Sequence, residues 1–202
     1  LSNSLQEFYN RPLKEIRVQS DFFLREQSFG DAAPFLQYYS NPEVNQHIYT
    51  TAPTTVQEAK EEIKYCKSLF NNRQGAYWSL AKINNNEIIG AIGLYIRDHF
   101  PTAEISYDLN KAYWRKGIMT DALTSIIEYA FNTIKIQTVN AITTTSNFAS
   151  MGLLKKLGFK HEGTLKNNRL YEGEYRDVEK LTLTKADFYS AISKTTEAAQ
   201  FA

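Results

Sequence analysis

Tyr113-Trp114-Arg115-Lys116-Gly117-Ile118-Met119-Thr120 sets two aromatics and two cations before a single glycine, at the start of an apolar repeat. A helix beginning there would present unpaired backbone N–H groups and the positive end of its dipole. An anion is stabilised at such a place. Gly117 has no Cβ to hold a phosphate off the backbone, and Arg115 and Lys116 add positive charge at the same mouth. The chemistry on offer is a pyrophosphate cradle built from the amides of 115–120. A plain basic turn before a helix is the other reading. The stretch is not a Walker loop, because no Gly-Lys-Ser/Thr ends it, and it is not the GxGxxG dinucleotide fingerprint.

The remaining reactive groups are few. His47, His99 and His161 stand too far apart for metal-ligand spacing, so no metal is expected, and each reads as a solvated histidine. Cys66 is the single cysteine. It can form no internal disulfide, fits a reducing, cytoplasmic compartment, and falls on an apolar helical stripe as a core residue. A net charge of +1 provides no field for nucleic acid or an anionic membrane. The best apolar stretch, 88–96, is broken by Gly90 and Gly93 and is too short to span a bilayer. LSNSLQEFYN lacks the basic and apolar regions of a signal peptide.

The elements that must position the cradle follow from periodicity. Residues 1–20 carry Leu5, Phe8, Tyr9, Leu13 and Ile16 at helical spacing, weakened by Pro12, and form an N-terminal appendage. FFLRE (22–26) is a strand. Ser28 and Asp31 are spaced as a capping pair before a helix to about 40, stopped by Asn41-Pro42. Thr55 and Glu58 form a capping box for a second helix with Val56, Ala59, Ile63, Cys66 and Phe70 inward. Strands 76–83 and 87–96 flank Asn84-Asn85-Asn86, a hairpin turn. Residues 103–109 alternate, with Ala103, Ile105, Tyr107 and Leu109 on one face. A crossover helix through 118–133, a strand over 137–145 and a short helix ending at Gly158 come next. A hairpin around Tyr171-Glu172-Gly173 and a last helix from 185 close the chain. The order is α+β around a mixed sheet with one parallel crossover. Its exposed edge near the last hairpin permits a monomer or a homodimer.

AEISYDLNKAYWRKGIMTDAL, a strand, and then SNFASMGLLKKLGFKHEGTL resemble the GNAT superfamily of acetyl-CoA-dependent N-acetyltransferases, in particular its RimJ/RimL ribosomal-protein branch. NNNEIIGAIGLY, SNPEVNQHI and PTTVQEAKEEI resemble that branch's hairpin and first helices. The resemblance covers 21–185 and implies one acetyltransferase domain there, with 186–202 as a closing helix. It implies a mostly antiparallel sheet flanked by helices in three α/β/α layers. It also implies acetyl-CoA as co-substrate, no metal, and a primary amine as acceptor. A protein or peptide N-terminal α-amine is expected. A polyamine or aminoglycoside is the small-molecule alternative, and an acyl-CoA-binding sensor is the non-catalytic one.

By the same resemblance, Ile105, Tyr107 and Leu109 would lie along the pantetheine arm. Trp114, Arg115, Lys116, Gly117, Ile118, Met119 and Thr120 would form the pyrophosphate loop. Asn147 would bond near the pantetheine, and Lys155 or Lys156 would reach the adenosine phosphates. Met119 would add a side chain near the cradle. Arg169 stands where some relatives carry a glutamate base.

Acetyl transfer needs a neutral amine, and α-amines titrate near 7.7–8.0 and lysines near 10.4, so a base must take a proton. Glu104, on the cofactor strand and opposite in direction to Ile105, is the expected base. An exposed carboxylate that only orients the acceptor is the alternative. Ser150 is the expected donor to the leaving thiolate, with Tyr107 and Tyr113 as alternatives. Glu172, Glu174 and Asp177 could attract a cationic acceptor, and Tyr38, Tyr39 and Tyr49 could rim its groove; solvation and packing account for them equally.

Overall fold

The computed structural model of the chain describes residues 2–48, 51–96, 101–171 and 173–200, with side chains for all of these except 171 and 195–200. Eight strands form one sheet. They are β1 (Ile16–Arg17), β2 (Phe22–Glu26), β3 (Gly75–Lys82), β4 (Ile88–Ile96), β5 (Thr102–Leu109), β6 (Thr138–Thr144), β7 (Lys160–Tyr171) and β8 (Glu174–Thr184). Their spatial order is β1-β2-β3-β4-β5-β6-β8-β7. Each neighbouring pair is antiparallel except β5–β6, which is parallel. The helices are α1 (Asn3–Tyr9), α2 (Ala32–Tyr39), α3 (Pro42–Asn45), α4 (Val56–Asn71), α5 (Ile118–Tyr129), α6 (Phe148–Lys156) and α7 (Lys185–Gln200). The class is the expected α+β.

The sheet separates two cores. On one side α1, α5, α6 and α7 pack Leu5, Phe8, Leu123, Ile126, Leu154 and Phe188 against Leu94, Ile105 and Ala141. On the other, α2, α3 and α4 pack Phe35, Tyr38, Val44 and Ile63 over Ala81 and Ile88. Helix α4 starts as expected, with Thr55 Oγ1 accepting from Glu58 N at 3.1 Å. The Glu58 carboxylate closes the cap one residue early, on Thr54 N and Oγ1 at 2.7 and 2.9 Å. Val56, expected inward, is 41% exposed.

Two further expectations change. The N-terminal helix ends at Tyr9, ahead of Pro12, which has no N–H to continue it. Ile16 and Arg17 instead pair with Leu24 and Phe23 as β1. The crossover helix widens to a π turn over Ala130–Ile134, and that wider turn keeps Ala130, Phe131 and Ile134 all buried.

Candidate active site

Strands β5 and β6 pair over Thr102–Ile105 and Thr138–Ala141. Both continue, to Leu109 and Thr144, but the ladder between them ends. The half of the β5 backbone that would have bonded to β6 is left facing the gap from Ser106 to Leu109. Such groups need a partner.

The loop after β5 is tied down at once. Trp114 Nε1 donates to Leu109 O at 2.7 Å. Arg115 and Gly117 adopt φ of 59° and 75°, and α5 begins at Ile118. The left-handed φ favours glycine at 117, and no neighbouring atom of the chain stands within 4 Å of the place a Cβ would take. Arg115 and Lys116 are exposed, and Lys116 Nζ lies 5.3 Å from the Tyr113 ring centroid. Ile118 and Met119 are 3% and 6% exposed, so their side chains belong to the core. Met119, expected to add a side chain near the cradle, turns it into the core. Thr120 is half-buried, and its carbonyl accepts from Thr124 Oγ1 at 2.9 Å. Asp121 accepts from Gln19 Nε2 at 2.5 Å, fastening the N-terminal segment to the first turn of α5.

Across the gap stands α6. Asn147 Oδ1 accepts from Ser150 N at 3.1 Å and caps the helix. Ser150 Oγ lies 2.7 Å from Tyr107 Oη on β5. Burial pushes the Tyr107 phenol up to about 12 although the Ser150 bond opposes it, so it keeps its proton at neutral pH. Lys155 and Lys156 are exposed in the last turn of α6, at the end away from Asn147. Tyr113 packs edge-on against Phe22, at 6.0 Å between ring centroids.

Strand alternation sends Ile105 and Leu109 into the α5 core and Glu104, Ser106 and Asp108 to the opposite face. Each of these three is engaged. Glu104 Oε1 accepts from Arg169 Nη2 at 2.7 Å. Ser106 Oγ lies 3.0 Å from Tyr77 Oη. The Tyr77 ring reaches it across Gly93, where a Cβ would stand 2.2 Å from Tyr77 Cζ. Asp108 Oδ1 accepts from Tyr38 Oη at 2.7 Å. Burial raises the Asp108 carboxyl to about 6, against the bonds from Tyr38 and the Ala91 amide and with Glu62 adding to the rise. Burial and Asp108 together push the Tyr38 phenol well up.

On this face an open groove of about 480 Å³ lies at the end of β6, lined by Gln46, Thr144, Thr145, Ser146, Tyr175, Arg176 and Asp177. Of the histidines expected to be solvated, His161 is exposed and His47 is half-buried. His47 Nδ1 lies 2.8 Å from Thr144 Oγ1, and burial lowers its ring. His161 Nε2 lies 2.5 Å from Glu179 Oε2, which also takes a bond from Thr164. Tyr38 and Tyr39 are buried in the second core. Glu174 is exposed, whereas Asp177 holds Lys166 Nζ at 2.6 Å and Asn167 N at 3.0 Å. Tyr49, His99 and Glu172 lie outside the described residues. Cys66 is buried, and burial pushes its thiol up.

Two features escaped the sequence. Asp108 was readable as the third polar residue of the Glu104–Ser106–Asp108 alternation. The Arg169 contact was not, because it spans 65 residues with no local pattern. Among the described residues no three His, Cys, Asp or Glu side chains converge on a metal position, and no helix is long and apolar enough to cross a membrane.

Residues 21–160 match the acetyltransferase (GNAT) domain family. The chain is 31% identical over 166 residues to an uncharacterized N-acetyltransferase, p20, of Bacillus licheniformis, covering 82% of this chain and 93% of that protein. It is 32% identical over 121 residues to the ribosomal protein uS5-alanine N-acetyltransferase of Escherichia coli, covering 58% of this chain and 62% of that one. Mycobacterium smegmatis RimJ, solved in complex with CoA-disulfide, superposes with a TM-score of 0.78 at 19% identity, covering 92% of this chain and 93% of its own.

Proposed function

The chain belongs to the GNAT acetyltransferase family, and from that premise we propose that it transfers the acetyl group of acetyl-CoA to the α-amine of a peptide or protein N-terminus. The observation that carries this reading is the parted β5–β6 ladder. It has a left-handed glycine loop and a helix start at its open end, and a groove on the face that carries Glu104.

The unpaired β5 edge suits the amides of a pantetheine arm alongside Ile105, Tyr107 and Leu109. The amides of 115–120 and the cations Arg115 and Lys116 suit the pyrophosphate. Lys156, exposed in the last turn of α6, suits the adenosine phosphates. Asn147 supports Ser150 through its cap, and Ser150, backed by Tyr107, donates to the departing thiolate. Glu104 takes the amine's proton, directly or through water. It sits one residue before the last β5–β6 pair, at the closed end of the gap. Holding both substrates side by side supplies much of the acceleration.

An α-amine acceptor is supported by the activity named for the Escherichia coli relative and by a groove open to solvent rather than enclosed. The single cysteine, buried, supports action in a reducing compartment such as the cytoplasm. The test is release of free CoA thiol with an amine panel: peptides with N-terminal alanine or serine, a linear polyamine and an aminoglycoside. Peptide-dependent release that is lost in Glu104→Gln is the expected result. Release with the small amines alone would move the acceptor class. Binding of acetyl-CoA without amine-dependent release would leave a sensor module.

A further inference from the structure

Glu104 is level with Asn140 in the sheet, Asn140 with Thr182, and Thr182 with Lys160. Arg169 lies much further along β7. A straight strand would carry it roughly 30 Å past that level, yet its guanidinium is 2.7 Å from Glu104. The hairpin closes the distance by bending. The register slips between Leu165 and Arg169, and Asn167 adopts φ of 49°. Asp177 fastens the bend through Lys166 Nζ and Asn167 N. Past the bend Arg169 faces Arg176, which lines the groove. Past the bend the paired strands at Arg169 and Arg176 thus fold toward the sheet face that carries the candidate base, and Arg169–Glu104 ties β7 to β5.

A guanidinium on Glu104 stands where a protonated amine would have to stand, with the same charge and the same donor chemistry. We propose that Arg169 determines acceptor specificity: it holds Glu104 until an acceptor displaces it, and it favours acceptors that carry a carbonyl or carboxylate beside the amine. This rests on Glu104 being the group that receives the amine. The side chains of Arg169 and Glu104 are 38% and 29% exposed, so neither is fully solvated. The displaced guanidinium keeps five donors in a fixed fork. Leaving them without acceptors in a half-buried place is costly. A peptide N-terminus brings its own first carbonyl three bonds from the nitrogen, so the two cations exchange partners: ammonium to Glu104, guanidinium to carbonyl. An alkylamine or linear diamine brings donors alone and sets a like charge beside Arg169.

The experiment compares steady-state kinetics with three probes: a hexapeptide with N-terminal alanine, ethylamine and 1,4-diaminobutane. The proteins are wild type, Arg169→Gln, Arg169→Lys and Glu104→Gln, each saturated with acetyl-CoA. In Arg169→Gln the KM for ethylamine and for the diamine should fall about tenfold, the scale of one hydrogen bond to a charged group. The peptide KM should stay level or rise, so the preference for peptide collapses. Arg169→Lys, which keeps the charge, should retain part of it. Amide exchange across 168–176 should quicken in both Arg169→Gln and Glu104→Gln. An unchanged preference in Arg169→Gln, or a common rise of all three KM values, overturns the proposal. If Glu104→Gln still loses kcat in that case, the base assignment survives alone. An undiminished kcat in Glu104→Gln, or no turnover of any probe, overturns the reading beneath it and the proposal together.

Discussion

Tyr107 on β5 and Ser150 on α6 hold their hydroxyl oxygens 2.7 Å apart beside the point where β5 parts from β6. The phenol is protonated through neutral pH, so the pair can pass a hydrogen bond toward a thiolate leaving through the gap. Ser150→Ala is expected to lower kcat about 100-fold or more with little change in the KM for acetyl-CoA. It also leaves the Tyr107 hydroxyl short of a partner, which costs about 1–3 kcal/mol of stability. Adding Tyr107→Phe should restore the stability but not the rate. An unaltered kcat in Ser150→Ala would remove Ser150 from the chemistry.

Gly117→Ala isolates the cradle. The left-handed φ of 75° costs an alanine about 1–2 kcal/mol, and the open space beside it adds no clash. Acetyl-CoA at a hundred times its dissociation constant should stabilise the wild type by about 2.7 kcal/mol. Calorimetry with and without the ligand should show that shift reduced in the variant. A full shift there would place the pyrophosphate elsewhere.

Asp108 makes stability depend on pH in an unusual direction. Its carboxyl is raised to about 6 by burial, above the roughly 3.9 of an unfolded chain. Between those values the folded chain keeps a proton that the unfolded chain has lost. Stability therefore falls as pH rises from about 4 to about 6, and the loss is complete above. Asp108→Asn keeps an oxygen for the Tyr38 hydroxyl and removes the titration. It should stabilise the protein by up to about 3 kcal/mol at pH 8 and by far less at pH 4. Urea melts at the two pH values that gave equal differences would contradict this.

Helix α1 is predicted to contribute to the main core rather than to decorate it. Phe8 is 6% exposed and meets Phe70 and Tyr129 edge-on at 5.4 and 6.2 Å between ring centroids. Phe8→Ala should cost about 3–5 kcal/mol in urea denaturation. A loss below about 1 kcal/mol, the scale of a surface substitution, would mean that α1 stands off the sheet in solution.

Local signals carried much of the fold. The β5 alternation, the Thr55 cap, the asparagine turn between β3 and β4, and the spacing of Met119, Ala122, Leu123, Ile126 and Ile127 each depend on residues within a few positions of one another. Ile16 and Arg17 departed from the helical pattern because a partner strand, β2, claimed their backbone groups after Pro12 had ended the helix. The Met119 side chain follows the apolar stripe of α5 into the core with Ala122, Leu123 and Ile126, away from the loop it was expected to line.

The sequence by itself determined the α+β order, the loop with its single glycine before the helix, and the family to which 21–185 bears resemblance. These are properties of short segments, set by periodicity, backbone geometry and residue type. Tertiary structure decided which polar groups meet: Glu104 with Arg169, Asp108 with Tyr38, Tyr107 with Ser150. Each joins elements from distant parts of the chain. Such contacts depend on where a strand bends and where a ladder parts, and no local pattern of residues encodes either.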